Sequence, residues 1–78
     1  MQEIFADFMK LDEWPGIPDK SVPLALVADR PELAALEGQA VTLISFDLRA
    51  HGRIVQYDGW WFAILTSAVE DNPMSIAR

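Results

Sequence analysis

Residues 53–66 read RIVQYDGWWFAILT, which is two apolar runs separated by Asp58-Gly59. This dipeptide is among those most favoured in a two-residue type I′ turn, in which both central residues need positive φ. The pattern therefore predicts an antiparallel β-hairpin. A two-residue turn also fixes the register of the two strands, so that Tyr57 pairs with Trp60 and the remaining pairs follow outward from them.

The side chains of this hairpin alternate between two faces. The first face carries Arg53, Val55, Tyr57, Trp60, Phe62 and Ile64, and the second carries Gly52, Ile54, Gln56, Trp61, Ala63 and Leu65. Because neither face is polar, the hairpin needs cover from two directions. Helices would supply one cover. The other would be a further layer or barrel wall of the same chain or, as the small core of a 78-residue chain favours, a second subunit.

The segment from Gln2 to Trp14 has its apolar residues at helical spacing, with acidic and basic residues on the opposite side. The apolar positions are Ile4, Phe5, Phe8, Met9 and Leu11. This pattern predicts an amphipathic N-terminal helix that ends before Pro15-Gly16. Its exposed apolar stripe would dock on the sheet or on a partner.

Two further elements are predicted before the hairpin. The apolar run from Val22 to Ala28 indicates a strand, and Pro23 places this strand at an edge of the sheet. Asp29 followed by Glu32 resembles a helix-capping box, and Pro31 suits a first helical turn. These signals predict a second short helix of about two turns, from residue 30 or 31 to residue 36 or 37.

The remaining segments complete the predicted architecture. Residues 40–46 are rich in β-branched residues and indicate a strand, residues 47–52 indicate a turn or irregular link, and residues 68–78 indicate a partly mobile tail. The predicted fold class is α+β. It is a single domain over residues 1–78, with a small antiparallel sheet of three to four strands that could curl towards a barrel, an N-terminal amphipathic helix and a second short helix.

The composition excludes several classes of function. The chain has no Cys, so thiolate chemistry, zinc–thiolate sites and iron–sulfur clusters are excluded, and a cytoplasmic location is expected. Its 12 acidic and 6 basic residues give a net charge of −6, which argues against direct binding of nucleic acid. Neither a signal peptide nor an apolar run long enough to span a membrane is recognisable, so no membrane association is expected.

No catalytic, cofactor-binding or metal-binding constellation is recognisable, so the chain is predicted not to be an enzyme. His51 is the single histidine, and the residue nearest to it in sequence with which it could form an acid/base or metal contact is Asp47. The favoured interpretation is that His51 is a solvent-exposed turn residue. The acidic pairs Asp12-Glu13 and Glu70-Asp71 are interpreted as solvated charge.

The leading functional hypothesis is a non-enzymatic, self-associating interaction or accessory protein with an acidic surface, forming a homodimer or higher homo-oligomer and binding a protein partner. One alternative is an acidic inhibitor or antitoxin-like protein that occupies a basic site on its target. Another is a small-molecule binder with a pocket near Trp60 or Trp61. The predicted interface residues are Phe5, Phe8, Tyr57, Trp60, Trp61 and Leu65.

Residues 38–59 resemble the start of the small OB-type barrel domain at the C-terminus of NfeD-family membrane proteins. In that family a Leu-Arg-Pro-x-Gly element precedes a similar strand, and Leu48-Arg49 followed by Gly52 matches it here. Ala50 stands where the family favours proline. The resemblance covers about a quarter of the chain and is one of hairpin patterning, so it implies no function.

Overall fold

The computed structural model describes residues 2–71 and contains one curled, mixed β-sheet with no α-helix in the described part of the chain. The elements in chain order are β1 (Glu3–Phe5), the 3₁₀ helix η1 (Phe8–Lys10), β2 (Ser21–Leu26), the 3₁₀ helix η2 (Pro31–Leu36), β3 (Ala40–Ser45), β4 (Leu48–Tyr57), β5 (Trp60–Leu65) and β6 (Glu70–Asp71). The protein is therefore mostly β.

The strand order across the sheet is β1-β3-β4-β5-β2. The pairing of β1 with β3 is parallel, and the other pairings are antiparallel. The long strand β4 connects the two halves of the sheet, because its residues 48–53 pair with β3 and its residues 52–57 pair with β5. Strand β6 pairs with the first two residues of β4.

The predicted hairpin between β4 and β5 is confirmed. Asp58 has a φ of 52° and Gly59 a φ of 80°, so both central residues of the turn have the positive φ that a type I′ turn requires. The register also agrees with the prediction, since it pairs Tyr57 with Trp60 and continues without a shift to Gly52 and Leu65. Local turn chemistry is sufficient to specify this part of the fold.

The hydrophobic core lies on the inner face of the curled sheet. It consists of side chains from β1 to β5, joined by Leu33 of η2 and led in size by Trp61, which is 1% exposed. The indole Nε1–H of Trp61 donates a hydrogen bond of 2.9 Å to the carbonyl oxygen of Arg30. This bond ties the start of η2 to β5, so that η2 covers the core.

The part of the outer hairpin face around Phe62 is covered by the loop between η1 and β2. Phe62 is fully buried although it points away from the main core cluster, and the ring of Trp14 lies edge-on against it. The Asp12 carboxylate closes this loop, because its Oδ1 accepts hydrogen bonds from the backbone N–H groups of Lys20 and Ser21. Cover for Phe62, at least, is therefore supplied by the chain itself.

The predicted N-terminal amphipathic helix is wrong, and with it the α+β fold class. Residues 3–5 form a strand, in which Ile4 is buried and its neighbours are exposed. Asp7 then caps a single 3₁₀ turn by accepting a hydrogen bond from the N–H of Met9, and the chain leaves helical geometry at Leu11. Pairing with β3 satisfies the backbone groups on one side of β1, whereas an isolated helix of this length is marginally stable in water.

Two other local predictions need correction. The second short helix is found at Pro31–Leu36, but it is a 3₁₀ helix whose N-cap is Arg30 without a side-chain hydrogen bond. Glu32 pairs with Arg30 instead of completing a capping box. Residues 48–52, predicted as part of a turn, belong to β4, and the turn lies at residues 46–47. Most of the predicted mobile tail, residues 72–78, lies outside the described residues.

Candidate functional site

One side of β1 is an open sheet edge. The N–H of Thr42 donates to the carbonyl of Gln2, and the N–H of Ala6 donates to the carbonyl of Ile44, each at 2.8 Å. Successive residues of a strand direct their backbone groups to opposite sides. The N–H and C=O groups of Glu3 and Phe5 therefore point away from β3, and within residues 2–71 no other strand pairs with β1.

Two grooves run along this open edge. The first lies between β1 and η2, has a volume of about 450 Å³ and is lined by residues that include Arg30 and Leu36. The second lies between the end of β1 and the start of β2, has a volume of about 250 Å³ and is lined by residues that include Trp14 and Trp60. Phe5 borders both grooves, so the two grooves meet at this residue.

An exposed aromatic pair stands at the end of this edge. Phe5 is 59% exposed and Phe46, in the turn between β3 and β4, is 83% exposed. Their rings meet edge to face with centroids 5.8 Å apart and an interplanar angle of 77°. Met9, in the adjacent 3₁₀ turn, is also largely exposed. Large apolar side chains grouped in this way are typical of protein-binding surfaces.

The opposite edge of the sheet is protected against strand pairing. Pro23 in β2 lacks an N–H, and the pairing of β2 with β5 is interrupted by a β-bulge after it. The outward N–H of Ser21 is occupied by the Asp12 carboxylate, and its carbonyl accepts from the N–H of Asp12. The two edges thus differ. In β2 the proline, the bulge and the Asp12 hydrogen bonds prevent the addition of a further strand. In β1 only the short length of the strand and the charge of Glu3 oppose it.

Of the six predicted interface residues, the structure brings Phe5 to this edge and Trp60 to the groove at the end of β1. Phe8 packs half-buried against the core, and Trp60 is half-buried against Trp14. Tyr57 is 45% exposed at the far end of the hairpin, whereas Trp61 and Leu65 are buried in the core. Sequence reasoning missed Phe46, although a phenylalanine directly before Asp47 at the end of a β-branched run indicates an exposed turn aromatic.

The structure places the two residues of the predicted acid/base or metal contact apart. His51 lies within β4 and Asp47 lies in the preceding turn, so they are about 13 Å apart along an extended chain. Within residues 2–71 no group of three His, Cys, Asp or Glu side chains has the geometry to hold a metal ion. The same residues include no helix long and apolar enough to cross a membrane.

Comparisons of the chain with protein-family models, with curated proteins and with solved structures give no match. The resemblance of residues 38–59 to the NfeD-family barrel domain finds no support in them.

Proposed function

We propose that this chain is a non-enzymatic interaction protein that self-associates through the open edge of β1. The observation that carries the proposal is the combination of free backbone donors and acceptors on Glu3 and Phe5 with the exposed aromatic ring of Phe46 beside them. An unpaired edge of this kind is a template for strand addition. The cysteine-free composition fits a reducing compartment such as the cytoplasm.

A two-fold axis through Ile4 gives the simplest pairing. Antiparallel β1 strands related by this axis place Glu3 opposite the partner's Phe5, and Ile4 opposite the partner's Ile4. Glu3 and Phe5 then exchange their outward N–H and C=O groups with the partner, so every free backbone group of the edge is satisfied. The register also keeps the two Glu3 carboxylates from facing each other directly.

We expect this association to be weak. β1 has only three residues, so strand pairing contributes few hydrogen bonds and most of the buried apolar area comes from Phe5 and Phe46. Small interfaces lose much of their gain to the translational and rotational freedom of the subunits. A dissociation constant in the micromolar range or weaker is therefore the expected value.

The test is analytical ultracentrifugation of the wild type, of Glu3→Pro and of Glu3→Gln over about 5 to 500 μM. Proline at the first residue of β1 removes an outward N–H and leaves the hydrogen bonds to β3 intact, because the N–H of Glu3 does not face β3. Glu3→Gln is the matched control, since it removes the charge and keeps the N–H. The expected result is a wild-type mass that rises towards twice 8.7 kDa with concentration.

Glu3→Pro should stay monomeric over that range, and Glu3→Gln should associate like the wild type. A wild type that remains monomeric at about 500 μM would contradict the proposal. Equal association of wild type and Glu3→Pro, both folded by circular dichroism, would place the contact elsewhere.

The groove beside Trp60 favours a second candidate function, the binding of a small apolar ligand. Trp14 and Trp60 meet there with ring centroids 4.7 Å apart, and Lys10 and Asp7 provide polar groups. Its volume of about 250 Å³ is below the usual range for such sites, roughly 300 to 1,000 Å³, so this candidate ranks second. Binding would change tryptophan fluorescence in the wild type and much less in Trp60→Leu.

A further inference from the structure

The outer face of β4 carries a basic stripe, defined here as Arg49, His51 and Arg53. These residues alternate along the strand with buried ones, so their side chains share the face that points away from the core. The buried residues between and after them are Ala50, Gly52 and Ile54. On a strand, side chains two residues apart are separated by about 6.7 Å, so the stripe extends over about 13 Å.

The stripe stands out because charge is segregated in this half of the protein. Arg49 and Arg53 are the only Lys or Arg residues between positions 38 and 71, and both are on the stripe. The acidic residues of the same segment are confined to turns and to the short strand β6; they are Asp47, Asp58, Glu70 and Asp71. The middle of the outer sheet face is therefore positive on a protein whose net charge is −6.

Neither arginine forms an ion pair with the residues that the structure describes. The ion pair found in residues 2–71 joins Arg30 to Glu32, on η2. Glu70 lies opposite Arg49 in the ladder between β4 and β6 but forms no ion pair with it. The Nδ1 atom of His51 is buried and has no hydrogen-bond partner. The guanidinium groups of Arg49 and Arg53 thus keep unused hydrogen-bond donors, which is typical of sites that recognise an anion.

We propose that the basic stripe binds an extended acidic segment of a partner protein, with carboxylates at alternate positions. In an extended peptide, side chains at alternate positions project to one side with the same spacing of about 6.7 Å. Each guanidinium can donate two parallel N–H hydrogen bonds to one carboxylate. Ile44, opposite Arg49, and Ile64, opposite Arg53, supply half-buried apolar surface beside the charges.

The charge distribution favours an acidic peptide over a nucleic acid. The stripe is one strand wide, with Glu70 beside Arg49 and Glu3 two strands away from His51 on the same face. A polyanionic backbone would bring many phosphates against these carboxylates and against the net charge of −6. A short peptide with a few spaced carboxylates meets the positive stripe and little of the surrounding negative surface.

The test uses fluorescein-labelled peptides and fluorescence anisotropy at about 20 mM ionic strength, where surface electrostatics is least screened. One peptide alternates glutamate with threonine, and a second has the same composition with its glutamates contiguous. The stripe variant is Arg49→Gln with Arg53→Gln. The control variant is Lys10→Gln with Lys20→Gln, which makes the same change in net charge at residues outside the stripe. Labelled oligothymidylate is the competing ligand class.

The expected result is that the alternating peptide binds the wild type more tightly than the contiguous one. The stripe variant should weaken the alternating peptide more than ten-fold and the control variant less than three-fold. The imidazole resonances of His51 should shift on addition of the peptide. Equal weakening by the two variants would attribute binding to net charge and overturn the proposal. Oligothymidylate binding tighter than the peptide, lost in the stripe variant, would replace the peptide with a nucleic acid.

Discussion

The indole of Trp14 lies edge-on against the ring of Phe62, with centroids 5.4 Å apart and an interplanar angle of 85°. This contact joins an irregular loop to the outer face of the β4–β5 hairpin. It covers Phe62 from within the chain, whereas a second subunit was expected to cover the apolar outer face. The self-association proposed at β1 is therefore separate from the burial of Phe62.

Trp14→Ala should lower the free energy of unfolding by about 2 kcal/mol, less than a fully buried aromatic because the indole is half-exposed. The substitution uncovers Phe62 and removes the edge-to-face contacts with Phe62 and Trp60. Urea unfolding followed by circular dichroism measures the change. Trp14→Phe is the control and should lower stability by about 1 kcal/mol or less. An unfolding midpoint that Trp14→Ala leaves unchanged would show that the loop is not a cover.

Gly59→Val should destabilise the protein by about 1 to 2 kcal/mol, because a β-branched residue resists the φ of 80° that the turn requires. An added Cβ at Gly59 meets nothing within 4 Å, so the effect isolates backbone conformation from steric collision. Asp58→Asn is the control, since Asn also accepts positive φ and should change stability little. The thermal midpoint distinguishes the two variants, and equal midpoints for both would rule out the type I′ turn.

The hairpin could be predicted from sequence because everything that specifies it is local. Asp58-Gly59 sets the turn, the turn sets the register, and alternation sets the two faces. The sequence of the hairpin does not show which of its two faces points into the core, since Trp61 and Phe62 are both apolar. In the structure η2 covers the face of Trp61, and Trp14 covers Phe62 on the other face. Contacts with these distant segments determine that Trp61 lies in the core and that Trp60 is only half-buried.

The N-terminal segment shows why the rest could not be predicted. Ile4, Phe5 and Phe8 fit a helical period, but Ile4 and Ala6 also fit the two-residue period of a strand, and a short apolar run does not distinguish the two. The deciding partner is β3, since Glu3 pairs with Thr42 far along the chain. The open edge exists because of this pairing, so the candidate site could not be predicted from the local sequence pattern.

Stability should show a small acid-dependent component from the pair Arg30 and Glu32. The hydrogen bond from the Arg30 side chain lowers the pKa of the Glu32 carboxyl below its ordinary value of 4.5 in the folded protein. A lowered pKa in the folded state means that the contribution is present above pH 4.5 and is lost as the pH falls through the folded-state value. Because both side chains are exposed, the contribution is small.

The matching experiment compares wild type with Glu32→Gln in urea at pH 7, 5, 4 and 3. The difference between their unfolding midpoints should be largest at neutral pH and shrink below about pH 4.5 as Glu32 becomes protonated. Addition of about 0.5 M NaCl should shrink it at neutral pH as well. If the difference between the two unfolding midpoints grew as the pH fell, the ion pair would not lower the pKa of Glu32.

Trp61→Glu should unfold the chain instead of separating subunits. Trp61 is 1% exposed at the centre of the core, and its Nε1–H holds the Arg30 carbonyl at the start of η2. A buried carboxylate without a partner costs several kcal/mol in addition to the lost apolar contacts, which is comparable to the whole stability of a domain of this size.

Gln56→Glu is the matched control, because Gln56 pairs with Trp61 across the hairpin, is exposed and gains the same charge. It should change the free energy of unfolding by less than about 0.5 kcal/mol. Circular dichroism should show a disordered chain for Trp61→Glu and a native one for Gln56→Glu. If Trp61→Glu kept the native spectrum and only lowered the sedimenting mass, Trp61 would belong to an interface, and the inner face of the sheet would not be the core described here.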